Sequence, residues 1–425
     1  MRTAPWLNPV FIVLCWAGVV LAAWQTPAAS YYDLMRSGKY VDGTTVLTAL
    51  LLYGFFGLGS FLASASAGRR AAGAEVQAGR LAFLIWRPVR QFVGLAWLGC
   101  LAAYLLAFAP TLKAETLLRL LRGDTFLEKM GNSIAGLTTA TQFGVFVAVW
   151  CALVLFSGLE LSRRGRRRVW LMLASVALLS VYRGVLWHER LAFIEIAVPV
   201  AVIWSAYRLR HPLVLALAPL VAVLAAILLF GLFEYFRTWS HYREGQGHLL
   251  LFATQRLLSY YYSSVNNFGM ALQHIEPLWQ PLWTLDFLYK FPVPGNPLAS
   301  VRGEAYTLLF QTALELHSHP EFNLYSGPGL AYLDFGIAGG AGVMAGFGFL
   351  SGRLFNAFRR RALHGMLAYP VWMVGMIDLG RILYWPSSRA FPVWLCILVM
   401  LVLYRRFQAG PRNSASRVSA LVAQR

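Results

Sequence analysis

The sequence predicts an all-α, polytopic membrane protein, and three observations lead to this prediction. Of the 425 residues, 58% are hydrophobic and only 13% are charged, whereas soluble proteins carry about 25% charged residues. Apolar runs of membrane-spanning length recur along the whole chain, and basic clusters separate them in an alternating pattern. These features indicate a single integral membrane domain over residues 1–425.

About ten transmembrane helices are expected, because a helix needs about 20 apolar residues to cross a bilayer. The first run could be a cleaved signal peptide, but it lacks a strongly basic start and a small-residue cleavage site, so we interpret it as a retained span. The predicted spans are 6–24, 44–67, 92–110, 143–161, 169–187, 191–206, 212–232, 330–356, 366–383 and 391–404.

The net charge of +19 predicts membrane topology rather than nucleic-acid binding. With both termini in the cytoplasm, every basic cluster falls on the cytoplasmic side, as the positive-inside rule requires. We expect this side to contact membrane lipids, and residues 407–425 to form a disordered tail. The clusters are Arg69, Arg70, Arg80, Arg87 and Arg90; "RRGRRR" at 163–168; Arg208 and Arg210; "RRR" at 359–361; and Arg405 with Arg406.

Neither cysteine nor histidine spacing predicts a metal site or a cofactor. Each of the four cysteines lies within an apolar span, and none is spaced as a metal ligand or redox pair. His317 and His319 would share a face on an extended chain, beside Glu315 and Glu321. This spacing is not a zinc signature, so we interpret the segment as a surface loop ending at a proline.

One long extracytoplasmic loop is predicted at 233–326. It holds more acidic than basic residues, in contrast to the rest of the chain, and it is rich in aromatic residues. Its first half has apolar residues at helical spacing, and "FPVPGNPLAS" at 291–300 predicts a turn-rich segment. A loop of this length on a membrane scaffold is usually functional.

Arginines at the outward ends of several spans run against the positive-inside trend. The guanidinium group binds phosphate through a planar fork of donors, so several arginines at one cavity would suit a pyrophosphate. Alternatively, each arginine holds a lipid headgroup or pairs with a nearby acid. The arginines concerned are Arg183 and Arg190, then Arg237, Arg243 and Arg256, then Arg381 and Arg389.

The stretch "RLLSYYYSSVNNFGMAL" at 256–272 predicts a polar and aromatic helix face. Arg256, Tyr260 and Ser263 or Ser264 would share that face, and Asn267 would continue it. Such a stripe could stack on sugar rings and hydrogen-bond their hydroxyls. The alternative is an interfacial aromatic belt.

Asp334 stands before a glycine-rich span. We expect a turn or short helix at "SGPGLAYL" and a span that starts near Phe335, with Asp334 as the N-cap at the outer face. Functionally, the same carboxylate could face the outward cavity and orient an arginine or a sugar hydroxyl. The glycines that follow predict close helix packing; they are Gly336, Gly340, Gly342, Gly346, Gly348 and Gly352.

Several motifs resemble the Wzy-type oligosaccharide repeat-unit polymerases of bacterial O-antigen and exopolysaccharide pathways. They cover roughly 233–400, and "GLTTATQFG" at 136–144 adds to them. At 323–326 this chain has "NLYS", where the family type is Asn-Thr-Phe-Thr. The motifs are "EYFRTWSHY", a tyrosine-rich helix ending in "NNF", "FNLYSGPGLAYLDFGIAGG" and "DLGRILYW".

The resemblance implies a metal-independent glycosyltransferase with a GT-C-like fold in the bacterial inner membrane. Undecaprenyl-pyrophosphate-linked oligosaccharides would be the substrates, and a flippase and a chain-length regulator would be partners. An O-antigen ligase acting on lipid A core, or a transporter of lipid-linked glycans, is the alternative. The candidate catalytic residues are Arg190, Arg237, Arg243, Arg256, Arg381, Asp334, Glu244 and His248, and the candidate substrate-binding residues are Tyr242, Tyr261, Asn266, Asn267, Asn323, Tyr325 and Arg389.

Overall fold

The computed structural model describes residues 4–65, 74–109, 136–186, 189–209, 211–237, 239, 248–291 and 295–409. This part of the chain is helical and holds no strand. The helices are α1 (Pro9–Gln25), α2 (Ala28–Met35), α3 (Gly43–Ala65), α4 (Ala74–Leu84), α5 (Arg87–Phe108), α6 (Leu137–Ala140), α7 (Phe143–Phe156), α8 (Arg163–Leu186), α9 (Arg190–Arg208), α10 (Pro212–Arg237), α11 (Leu249–His274), α12 (Asp286–Tyr289), α13 (Leu298–Tyr306), α14 (Leu314–His317), α15 (Gly327–Arg359), α16 (Leu363–Ile377) and α17 (Phe391–Ala409). Short 3₁₀ turns occur at Pro5–Leu7 and Pro320–Phe322, and a π-helical stretch occurs at Thr307–Ala313.

The polytopic helical architecture is confirmed. Eight helices of the described chain are long and apolar enough to cross a membrane, and α1 with α2 forms a ninth candidate that is bent by 103°. The remaining predicted span, 366–383, corresponds to α16, a shorter apolar helix. Each predicted span therefore overlaps one helix of the structure.

The spans differ in how much protein surrounds them. In the most apolar window of Leu137–Phe156, 72% of the residues are buried, whereas in Pro212–Tyr235 only 6% are. Because membrane lipid is as apolar as these side chains, α7 is the centre of the bundle and α10 lies at its lipid-facing edge.

Small residues bring α3 and α15 into close contact, as the glycine spacing predicts. A Cβ at Gly348 would lie 2.0 Å from the carbonyl oxygen of Phe56, and one at Gly352 would lie 2.4 Å from that of Ser60. Gly59 on α3 approaches Ala345 in the same way, at 2.2 Å. Without Cβ atoms the two backbones can touch, and this is how helices pack tightly within lipid.

Helix α15 breaks at Gly336, next to the predicted start of its span. Gly336 has φ 65° and ψ −170°, a conformation that is essentially restricted to glycine. A short helix therefore precedes the break and a long apolar helix follows it, as predicted for "SGPGLAYL" and the residues after it.

Replacing Gly336 with alanine is expected to lower the free energy of unfolding by about 1–3 kcal/mol, because a Cβ strains this backbone conformation. Gly342→Ala is the matched control, since nothing lies within 4 Å of its would-be Cβ. Alanine there should raise helix stability by up to about 1 kcal/mol. Thermal unfolding of both variants in detergent would check this, and equal shifts would contradict it.

The predicted long loop contains a helix that belongs to the bundle. Helix α11 packs against α1, α2, α3, α10 and α15, and it buries most of its second half, including Asn266 and Asn267. The described residues of 249–326 lie beside the ends of the spans where α1, α8 and α16 finish and where α3, α9 and α17 start. We call this the loop end of the bundle, and the opposite end, which carries the basic clusters, the basic end.

Candidate functional site

Three of the predicted arginines meet around the ring of Tyr260 at the loop end. The guanidinium carbon of Arg190 lies 4.8 Å from the ring centroid, that of Arg381 5.4 Å and that of Arg256 5.8 Å. They come from the first residue of α9, from the segment between α16 and α17, and from α11, respectively. Cations are attracted to an aromatic face at this range, so one tyrosine organises three positive charges from distant parts of the sequence.

Three carboxylates, two of them buried, balance these charges. Glu234 near the end of α10 is fully buried; it pairs with Arg190 and lies 3.8 Å from the Nε atom of Arg256. Arg256 also pairs with Glu321, whose side chain is 20% exposed. Arg381 pairs with Asp378 at 3.2 Å. Each arginine of the cluster thus has an acidic partner, and a buried charge requires one.

A second pair of arginines joins three helix ends beside this cluster. Arg389 binds Glu195 through two parallel hydrogen bonds of 3.0 and 2.8 Å and also contacts Glu189 at 3.1 Å. Arg183 pairs with the same Glu189 at 2.6 Å and also bonds Thr141. Bidentate pairs of this kind fix geometry as well as charge, so Arg389 holds α9 against the start of α17.

The two arginines and the two glutamates that they contact stabilise one another's charged forms. Burial alone would raise the pKa of Glu189, but Arg389 and Arg183 outweigh it and hold that pKa below its usual range. Burial likewise opposes the charged form of Arg389, yet Glu195 and Glu189 outweigh it and raise the pKa of Arg389. Both groups are therefore ionised at neutral pH.

A cleft of about 70 Å³ opens beside Arg256. Its wall combines two guanidinium groups, two carboxylates, an amide, a hydroxyl and two phenyl rings, a mixture that suits an anionic, polar ligand. Its lining residues are Asp33, Leu34, Arg36, Phe252, Gln255, Arg256, Ser259, Glu321 and Phe322.

The site residues predicted from the sequence do not include Arg36, Glu234 or Glu321. Arg36 follows the first predicted span at its outward end, so the argument from outward arginines could have included it. Glu234 and Glu321 carried no such signal, since their pairing with Arg190 and Arg256 arises only when α9, α10, α11 and the 3₁₀ turn meet.

The two candidate sugar-binding asparagines of α11 are fully buried and bonded to the chain itself. The amide of Asn266 accepts from Tyr40 N at 2.7 Å and donates to Gly38 O at 2.8 Å. Asn267 donates to the carbonyl oxygens of Phe322 and Leu324. Both residues thus tie loop segments to α11, and their binding of sugars stays a prediction.

The other candidate binding residues lie in different surroundings. Tyr261 packs on Trp16, with 5.1 Å between ring centroids, and it lies 5.9 Å from the guanidinium of Arg381. Tyr325 is buried and donates to Leu309 O at 2.7 Å, whereas Asn323 is exposed. Of these three, the structure brings Tyr261 next to the arginine cluster.

The expected N-cap role of Asp334 is wrong. Its carboxylate is fully buried and accepts hydrogen bonds from the backbone N–H groups of Thr284 at 2.7 Å and Trp283 at 3.1 Å. The break in α15 comes after Asp334, at Gly336, so this side chain is free to reach a neighbouring segment instead of its own helix. Asp334 therefore anchors residues 283–284 to the bundle.

Several candidates cannot be placed at the site. Tyr242, Arg243 and Glu244 lie outside the described residues, as does the side chain of Arg237 at the end of α10. His248 is exposed just before α11 and makes no side-chain bond to that helix.

The histidines of the "ELHSHPEFN" segment point to different partners. His317 stacks on His274 with 4.2 Å between ring centroids. His319 accepts from the N–H of Glu321 at 3.3 Å, within the 3₁₀ turn that presents Glu321 to the cleft. Among the described residues, no group of three or more histidine, cysteine or acidic side chains is placed to hold a metal ion.

Comparisons with known proteins indicate no function for this chain, so its function has to be inferred from the residues described above. No protein-family model matches the chain, and no curated protein or solved structure is significantly similar to it.

Proposed function

We propose that this protein polymerises undecaprenyl-pyrophosphate-linked oligosaccharide repeat units into O-antigen or exopolysaccharide, at the periplasmic face of the bacterial inner membrane. The observation that carries the proposal is the convergence of Arg190, Arg256 and Arg381 on Tyr260, next to a polar cleft at the loop end. The positive-inside rule assigns the basic end to the cytoplasm and the cleft to the periplasm.

The arginines supply what this reaction needs most. Departure of a lipid pyrophosphate develops negative charge, and fixed guanidinium groups in a site of low dielectric stabilise such charge strongly. Arg256 has one carboxylate behind it, the fully buried Glu234, and one at the cleft, the partly exposed Glu321. A pyrophosphate entering the cleft would take the place of Glu321 on Arg256 while Glu234 keeps the arginine in position.

The same exchange supplies a base. In the transfer, the bond from the anomeric carbon to the pyrophosphate oxygen breaks, and its electron pair leaves with undecaprenyl pyrophosphate. A hydroxyl of the incoming repeat unit forms the new glycosidic bond and gives up its proton. Glu321, released from Arg256, lies at the cleft and would accept that proton. Among the predicted catalytic residues, Glu244, His248 and Asp334 also have side chains that can act as a base.

The remaining lining of the cleft suits a glycan. Phe252 and Phe322 present apolar rings, and Gln255 and Ser259 present hydrogen-bonding groups one turn apart on α11. A volume of about 70 Å³ is below that of a typical ligand pocket, so these groups would contact a sugar unit at the mouth of the cleft rather than enclose it. A flippase would deliver the repeat units, and a chain-length regulator would act on the growing polymer.

Reconstitution would test the proposal directly. Purified protein in proteoliposomes, supplied with undecaprenyl-pyrophosphate-linked repeat units and EDTA, should produce a ladder of longer glycans on the lipid carrier. In cells, deletion of the protein should leave single repeats on lipid A core. Long chains that accumulate on the carrier without reaching the core would instead indicate a ligase, and movement of unextended repeats across the bilayer would indicate a transporter.

Replacing Glu321 with glutamine is expected to lower the polymerisation rate by roughly 10²-fold, because a general base contributes at least that much. Donor binding should be retained, since the neutral amide leaves Arg256 free for phosphate. Single-turnover rates and their pH profile would be measured alongside binding of undecaprenyl pyrophosphate. Glu315→Gln, at an exposed carboxylate nearby, is the control and should keep the full rate; a full rate in both variants would rule out Glu321 as the base.

A further inference from the structure

A second cleft lies at the basic end, far from the arginine cluster. It has a volume of about 360 Å³ and is formed where the C-terminal ends of α7 and α9 meet the N-terminal end of α8. This volume falls in the range of small-molecule sites. The lining residues are Leu155, Phe156, Arg166, Trp170, Trp204 and Arg208.

Two helices each contribute one arginine and one tryptophan to the polar part of this cleft. Arg166 and Trp170 are four residues apart on α8, and Trp204 and Arg208 are four residues apart on the antiparallel α9. Residues at this spacing lie on one helix face, one turn apart. Each helix thus presents an arginine at its end and a tryptophan one turn deeper.

The N–H donors of these four side chains have no acceptor among the described residues. In the part of the chain that the structure describes, neither Arg166 nor Arg208 forms an ion pair, and neither indole N–H forms a hydrogen bond. At the loop end, by contrast, Arg183 and Arg389 are each paired with a carboxylate. Two guanidinium groups and two indole groups therefore face a cleft whose remaining lining, Leu155 and Phe156, is apolar.

The surface next to the cleft is apolar and open along the span. Trp170 is 46% exposed, Trp204 is 42% exposed, and Leu178, two turns further along α8, is 70% exposed. Tryptophan is enriched at the headgroup level of membranes, where an apolar ring and a polar N–H both find partners. An amphiphile with an anionic head and an apolar tail would match this surface over its whole length.

We propose that this cleft binds the phosphate headgroup of an anionic phospholipid from the leaflet at the basic end. Arg166 and Arg208 would hold the phosphodiester from two sides, the indole N–H groups of Trp170 and Trp204 would donate to its oxygens, and the acyl chains would lie along the exposed face of α8. This inference does not depend on the polymerase proposal.

The test is lipid titration of the full-length protein in detergent, followed by native mass spectrometry. The probes are phosphatidylglycerol and phosphatidylcholine with identical acyl chains. The double variant Arg166→Gln/Arg208→Gln should lose about 10–30-fold in phosphatidylglycerol affinity, as expected for two lipid-facing charges. Arg163→Gln/Arg167→Gln removes the same charge from exposed positions outside the cleft and should lose clearly less affinity, because these side chains do not line the proposed headgroup site.

Further measurements separate the alternatives. Equal losses in the two double variants would overturn the proposal in favour of a diffuse basic surface. Displacement of phosphatidylglycerol by millimolar inorganic phosphate would also overturn it, because the ligand would then be a soluble phosphate. Trp170→Phe/Trp204→Phe keeps an aromatic ring at both positions and removes the N–H donors. We expect this variant to bind phosphatidylglycerol more weakly and phosphatidylcholine as before. Unchanged binding of both lipids would show that the indole N–H groups do not hold the phosphate.

Discussion

Replacing Arg256 with glutamine is expected to lower the rate of glycan polymerisation by about 10²–10³-fold, the loss typical for one fixed donor at a developing negative charge. Arg256 is the arginine that connects the cluster around Tyr260 to the cleft, and it pairs with both Glu234 and Glu321. Arg256→Lys keeps the charge but not the planar fork, so its rate should lie between those of the wild type and the glutamine variant.

The measurement is the initial rate of chain extension in proteoliposomes, normalised to folded protein. Arg302→Gln is the matched control, because Arg302 is also an arginine of the segment after α10 and is also ion-paired, with Asp286 at 2.8 Å. Asp286 keeps Lys290 at 3.2 Å when Arg302 is removed. If Arg302→Gln slows extension as much as Arg256→Gln does, the arginine cluster has no special part in the reaction.

Removal of the Glu234 carboxylate should cost about 3–5 kcal/mol of folding free energy, the usual loss when one partner of a buried ion pair is deleted. Glu234 is fully buried between Arg190 and Arg256, so Glu234→Ala leaves two guanidinium groups with less compensation in a site of low dielectric. Thermal unfolding in detergent should show a marked loss of Tm.

A double variant separates this structural loss from catalysis. Arg190→Met/Glu234→Leu replaces a buried ion pair with apolar side chains, an exchange that is often neutral or stabilising. We expect it to recover most of the stability lost in Glu234→Ala while polymerisation stays low, because Arg190 is missing from the cluster. Recovery of both stability and activity would show that Arg190 only compensates Glu234.

The spans and the packing of α15 could be predicted from the sequence, because they depend on local composition. An apolar run of about 20 residues has few alternatives to crossing the membrane, and glycines four residues apart allow a close helix contact wherever the partner comes from. The break at Gly336 could also be predicted from local composition, because the residues before it are typical of a separate short helix.

For the candidate site, the sequence could predict the arginines but not their acidic partners. Outward arginines are unusual enough to be noticed one by one, and three of those selected do meet at Tyr260. Nothing in the sequence around their acidic partners marks them as site residues. Glu234 becomes part of the site only because α10 brings it against Arg190 at the start of α9. Asp334 shows the same limit: its partners at residues 283–284 are about fifty positions away, so local capping rules chose the wrong ones.

The cleft at the loop end has walls from three distant parts of the chain: residues 33–36, residues 252–259 and the 3₁₀ turn with Glu321 and Phe322. Asn266 and Asn267, neighbours on α11, fasten the first and last of these walls to the helix between them. A nascent chain that ends before residue 321 thus lacks one wall and the carboxylate that shields Arg256. The lining of the cleft can therefore be complete only after the first seven spans and residues 321–322 have been synthesised.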